Sequence, residues 1–147
     1  MSERGWVTAE NAIEICRSPE DVFDYLTDIT KEVEWNPRTR RVEKLTPGPI
    51  GLGTRFGAEW IKGNPAVVEY VRFERPVAWA SIARSRRLDA KGEGRISPAE
   101  QGSRVMVRTK LRPKGLLALL LPLMRRTMHE REDQNLERVK AILEGAR

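Results

Sequence analysis

Residues 115–147 read GLLALLLPLMRRTMHEREDQNLERVKAILEGAR, and this stretch decides the fold. An apolar run over 116–121 reaches Pro122, and no further Pro or Gly intervenes until Gly145. Beyond Pro122 the apolar residues Met124, Met128, Leu136, Val139, Ile142 and Leu143 recur at close to 3.6-residue steps. They predict one stripe on a long helix. Arg125, Arg126, Glu130, Arg131, Glu132, Asp133, Glu137, Arg138 and Lys140 fall largely off that stripe, as a wet face would. Proline cannot donate the bond a helix interior uses and clashes with the preceding turn. Residues 115–121 are therefore expected as a separate short helical piece, or one set at an angle, and a candidate lid. A helix this long needs a broad apolar surface to cover its stripe.

The preceding chain supplies strands. Val7 to Cys16 reads as a strand with imperfect alternation. Ser18-Pro19-Glu20-Asp21 then carries an N-cap, a first-turn proline and two acids suited to the positive end of a helix dipole. Val22, Phe23, Leu26 and Ile29 give that short helix its buried face. A second short helix or turn spans 30–35 and stops at Asn36-Pro37. The period then changes to two. Strands are expected around Val42, over 54–61, from Pro65 after a Gly63-Asn64 turn, over 77–83, over 88–96 and over 104–111. Strand, two short helices, about six strands in successive hairpins and one long helix make an α+β pattern. A sheet of that many strands twists and curls, so its concave side should wrap the helix and leave a cleft between them.

Composition narrows the function classes. The 147 residues suit one domain spanning 1–147, able to bury roughly 70% of its unfolded surface. Hydrophobic content of 39% with 33% charged residues is that of a soluble globular chain, and the longest apolar run is far short of the ~20 residues a membrane span needs. Cys16 is the only cysteine and no apolar signal core opens the sequence, so a reducing, cytoplasmic setting is expected. The net charge of +6 is spread over separate arginine clusters. It reads as solvated surface, or as attraction for an acidic ligand or membrane, and carries no nucleic-acid-binding motif. A monomer or homodimer is expected.

The order of elements resembles the helix-grip fold of the START-like superfamily, which includes the major birch pollen allergen. Within it the chain is most similar to the polyketide cyclase/dehydrase and lipid-transport family. The residues that carry the resemblance are Ser18-Pro19-Glu20-Asp21-Val22-Phe23, Thr27-Asp28, Glu34-Trp35-Asn36-Pro37, Gly53-Thr54-Arg55-Phe56, residues 69–76 and residues 136–144. The resemblance implies a curved antiparallel sheet of about seven strands around a long C-terminal helix. It also implies one of three activities: carriage of a small hydrophobic, polyketide-like or lipid-like molecule, cyclase/dehydratase chemistry on such a substrate, or neither.

Candidate chemistry is sparse. His129 is the only histidine, so any triad or dyad must use it, and a boundary position on the helix is the alternative reading. One histidine and one cysteine do not make a structural zinc site, and no glycine-rich phosphate loop leads from a strand into a helix, so no metal and no cofactor is expected. Cys16 reads as a buried, inert thiol. Strict period two places Val67, Glu69, Val71 and Phe73 on one face, which makes Glu69 a candidate acid or base at the margin of the cleft. Tyr70 and Tyr25 are candidate hydrogen-bond donors. Trp35, Phe56, Trp60, Glu69, Val71, Phe73, Trp79, Met124 and Met128 form the expected ligand-binding set, with plain core packing as the alternative for each. A third reading is a membrane- or partner-contacting surface over Leu116 to Met124.

Overall fold

In the computed structural model, residues 5–61 and 64–145 are described. Among the described residues there are one seven-stranded antiparallel sheet, three α-helices and two short 3₁₀ segments. After β1 (Val7–Ile15) come α1 (Pro19–Thr27), a 3₁₀ turn (Ile29–Lys31) and α2 (Glu32–Trp35). The sheet continues with β2 (Arg41–Lys44), β3 (Arg55–Ile61), β4 (Asn64–Glu74), β5 (Ala78–Ser85), β6 (Leu88–Ala99) and β7 (Gly102–Pro113). A 3₁₀ segment (Gly115–Leu120) leads directly into α3 (Leu121–Gly145). The strand order is β1-β7-β6-β5-β4-β3-β2, so every neighbour but one is a hairpin partner and the first strand closes against the last. This is the expected curved α+β helix-grip architecture. The Gly63-Asn64 turn falls partly outside the described residues.

Local chemistry explains the boundaries. The Ser18 hydroxyl accepts the Asp21 amide and Pro19 opens α1, so the free amides of the first turn are partly satisfied. Pro122 falls in the first turn of α3, where its missing N–H costs no helical bond. That placement is why the apolar run before it is wound as a tighter 3₁₀ segment instead of joining the α-helix.

The inner face of the sheet carries the core. Phe23, Phe73 and Trp79 meet edge-to-face, with Phe23 5.1 Å from Phe73 and 5.6 Å from Trp79 between ring centroids. Tyr70 joins them, 5.2 Å from Phe73 and 6.1 Å from Phe56. Ile15, Val105, Val139 and Leu143 complete this cluster from β1, β7 and α3. Trp79 is held by Gly94 across the β5–β6 ladder, where a Cβ would lie 2.2 Å from the indole ring. A second apolar cluster of Val7, Ala9 and Met128, with Leu111, Leu121 and Met124 against it, sits apart at the other end of β1.

Two expectations about faces are corrected here. In β4 the pairs Tyr70↔Ser81 and Arg72↔Ala80 skip Val71, which is the extra residue of a β-bulge. Before the bulge Ala66, Val68 and Tyr70 point inward; after it Phe73 does. Val71 and Glu69 therefore lie on the convex side, and the strict alternation that grouped them with Phe73 fails at the bulge. Cys16 is exposed, because Ile15 takes the last inward position of β1.

Candidate functional site

The middle of the inner face is built from small residues. Register aligns Ala83 with Ala90 and Ser81 with Gly92 across β5 and β6, and Gly92 with Thr109 across β6 and β7. Ser81, Ala90, Gly92, Val107 and Thr109 all face inward, yet none is fully buried. The cause is the path of α3, which packs mainly along β1 and touches α2, leaving the central strands uncovered between the two apolar clusters. A cleft with a floor of small side chains results.

Acidic groups mark one border of this space. Glu32 opens α2, and Trp60, inward-facing on β3, donates its indole N–H to Glu32 Oε2 at 2.7 Å. The Thr39 hydroxyl and the Asn36 amide donate to the same oxygen. Oε1 takes no donor among the described residues. Burial pushes the Glu32 carboxyl above its usual range despite those three donors.

Glu132 stands one turn from Met128 and one turn from Leu136 on the inward stripe of α3, a position where the helix otherwise places apolar side chains. Burial first, and the nearby charge of Glu32 second, push its carboxyl up to about 7, while the amide of Asn135 opposes the shift. Trp35, one helical turn from Glu32 on α2, buries an indole N–H that has no partner among the described residues. Arg38, near the same border, is held below its usual range by burial and by the charge of Arg131.

The residues expected from the sequence divide sharply. Trp35 and Trp60 lie at this border, half-buried against the main cluster. Phe56, Phe73 and Trp79 are core residues packed on other aromatics. Met124 and Met128 pack on Val7 and Ala9 in the second cluster, away from Phe56, so the three faces expected to meet do not. Glu69 pairs with Arg55 at 3.4 Å on the convex side, and Val71 lies exposed beside it. Tyr70 is buried and donates its hydroxyl to the Thr27 carbonyl at 2.7 Å, which occupies it structurally; burial and the charge of Glu32 push its ionisation well above the usual range. Tyr25 is likewise tied to Glu34 at 2.8 Å. His129 is half exposed at the seam of α3 and β1, beside Asn11 and Asp133. It stands outside the cleft, because its position is one step around the helix from buried Met128.

Both interior carboxyls lie outside the set of residues expected from the sequence. Glu132 was legible as the missing member of the Met128–Leu136 spacing, and Glu32 as the residue three before Trp35 on one helical face. Among the described residues no group of three or more His, Cys, Asp or Glu is gathered as a metal site would need.

Solved structures share this fold at low sequence identity. A START superfamily protein from Mycobacterium smegmatis is 12% identical with a TM-score of 0.76, covering 95% of this chain and 99% of that one. The Zhui aromatase/cyclase from Streptomyces sp. R1128 is 15% identical with a TM-score of 0.72, covering 95% of this chain and 94% of that one. Ara h 8.0201 is 15% identical with a TM-score of 0.70, covering 96% of this chain and 99% of that one. At these identities the likeness is one of fold. No curated protein sequence matches the chain. The family model described as polyketide cyclase / dehydrase and lipid transport matches residues 7–144, and the chain belongs to that family.

Proposed function

We propose that this protein binds a small hydrophobic molecule, flat or fused-ring and bearing hydroxyl or carbonyl groups, in the cleft between the central strands and α3. The observation that carries the reading is the pair Glu32 and Glu132 at the border of an apolar, half-open space. Two like-charged groups near one another in a desolvated setting oppose folding, and an apolar residue at 132 would continue the stripe better. Their use is to meet polar groups of a ligand. Protonated Glu132 donates to a carbonyl, and Glu32 Oε1 accepts from a hydroxyl. The small floor residues Ser81, Ala90 and Gly92 leave room for a ring system.

A second reading is favoured by one observation. A carboxyl near 7 is matched to proton transfer at neutral pH, so Glu132 suits a cyclase or dehydratase that moves protons on a bound polyketide-like chain. Glu132→Gln separates the two. A carrier keeps a changed but measurable affinity and has no turnover to lose. An enzyme keeps binding while turnover falls by roughly 10²–10⁴. Native mass spectrometry of the purified protein tests the common ground. A co-purified small molecule, lost from a Gly92→Leu variant whose floor is filled, supports the cleft. A ligand retained equally by that variant places binding elsewhere and removes both readings.

A further inference from the structure

The apolar run that precedes α3 is not packed away. Leu116, Leu119 and Leu123 are 85%, 77% and 70% exposed, and Leu120 is exposed beside them. Four large apolar side chains on one short segment form a contiguous patch that a solvated monomer rarely presents. Its surroundings are cationic. Residues 112–129 contain no acidic side chain, and Arg112, Lys114, Arg125 and Arg126 flank the leucines. The β5–β6 hairpin adds to them: the Lys114 amide donates to the Arg87 carbonyl at 2.8 Å, and its ammonium to the Ser85 carbonyl at 2.9 Å. Exposed Arg86 and Arg87 are thereby held next to the segment. Asp89 is the acid paired with Arg112 and Lys114, at 2.6 and 2.9 Å. Arg86, Arg87 and Arg125 have no carboxylate partner among the described residues. Trp6 lies at the same end, its ring between Lys91 and Arg112 at 4.8 and 4.9 Å. Apolar side chains ringed by arginine and lysine, with an aromatic ring at the boundary, match the layering of an anionic bilayer, acyl chains beneath and phosphates around.

We propose that this end of the molecule, the leucine patch with its basic collar, docks on an anionic membrane surface. Leu116, Leu119, Leu120 and Leu123 enter the acyl boundary, and Lys114, Arg86, Arg87, Arg125 and Arg126 meet the lipid phosphates. Docking brings the second apolar cluster, Met124 and Met128 on Val7 and Ala9, next to the bilayer at one end of the cleft. A hydrophobic molecule would then pass between bilayer and cleft without crossing water.

The test is sedimentation of the whole chain with vesicles of phosphatidylcholine alone and with about 30 mol % phosphatidylglycerol, the fraction chosen to give an anionic surface. Binding to the anionic vesicles is expected, weakened by high salt. The Leu116→Ser/Leu119→Ser variant should lose at least about tenfold in partitioning, since each buried leucine contributes on that order. Both positions are exposed, so its melting temperature should match the parent. Arg125→Glu/Arg126→Glu should reduce anionic binding by a similar factor. Three outcomes overturn the proposal. One is no binding to either vesicle. Another is equal binding to both compositions. The third is self-association abolished by Leu116→Ser/Leu119→Ser without vesicle binding, which would make a second copy the occupant.

Discussion

Replacing Glu132 with glutamine isolates the energetic signature of the interior carboxyl pair. The amide has nearly the same shape, so packing on α3 is kept while the ionisable group is removed. In the folded protein burial and Glu32 raise the Glu132 carboxyl from 4.5 to about 7. In the unfolded chain it returns to its ordinary value. Below about pH 4.5 the group is protonated in both states and contributes no difference. Between that point and about pH 7 the folded state holds a proton the unfolded state has released, so stability falls as pH rises. Above the folded value the full penalty applies. At about 1.4 kcal/mol per pKa unit the shift corresponds to about 3 kcal/mol, and water in the cleft reduces this, so about 1–3 kcal/mol is expected. Urea unfolding of parent and Glu132→Gln at about pH 8 and about pH 4.5 measures it. The variant should be the more stable protein at the higher pH, and the two should converge at the lower. Glu32→Gln should flatten the parent's slope in part, since it removes the neighbouring charge. A difference between parent and variant that is the same at both pH values would refute the placement of Glu132 as a desolvated acid.

Other perturbations separate core from site. Val139→Ala should cost about 1–3 kcal/mol in denaturant unfolding, because Val139 is fully buried on the sheet-facing side of α3. Gly94→Ala should cost a similar ~1–3 kcal/mol, since its Cβ would lie 2.2 Å from the Trp79 ring, itself wedged against Phe23. Tyr70→Phe should cost about 1–3 kcal/mol by leaving the Thr27 carbonyl without its donor, and should not alter ligand affinity. Glu69→Gln should change stability by no more than about 0.5 kcal/mol and leave ligand binding untouched, because the Arg55 pair is on the convex surface.

The architecture was legible because it rests on periodic signals. The α3 stripe, the Ser18 cap and the hairpin alternation of β7 are local patterns that tertiary contacts reinforce. The site was less legible, and the reasons are specific. Glu69 was misplaced because a single extra residue, Val71, reverses the face of everything beyond it, and no Gly or Pro marks that bulge. Met124 and Met128 share a helical face as expected, but that face meets β1 instead of β3, which depends on how α3 crosses the sheet. Glu132 has the charge of a wet-face residue but the spacing of a stripe residue, and in the structure its position follows the spacing. Trp35 and Trp60 lie half-buried beside the main cluster, a position that both packing and recognition would give an aromatic residue.

In the proposed complex a hydrophobic ligand occupies the space over Ser81, Ala90 and Gly92 with its polar end at Glu32 and Glu132, beside Trp60 and Trp35. Amide and indole N–H NMR during titration with a fused-ring phenol such as 2-naphthol tests it directly. Saturable shifts are expected at the Trp60 and Trp35 indoles and the Gly92 amide, with the Trp6 indole, 4.9 Å from Arg112 at the other end of the molecule, unmoved. Shifts confined to Trp6, or none at all while the same compound binds by another readout, would contradict it.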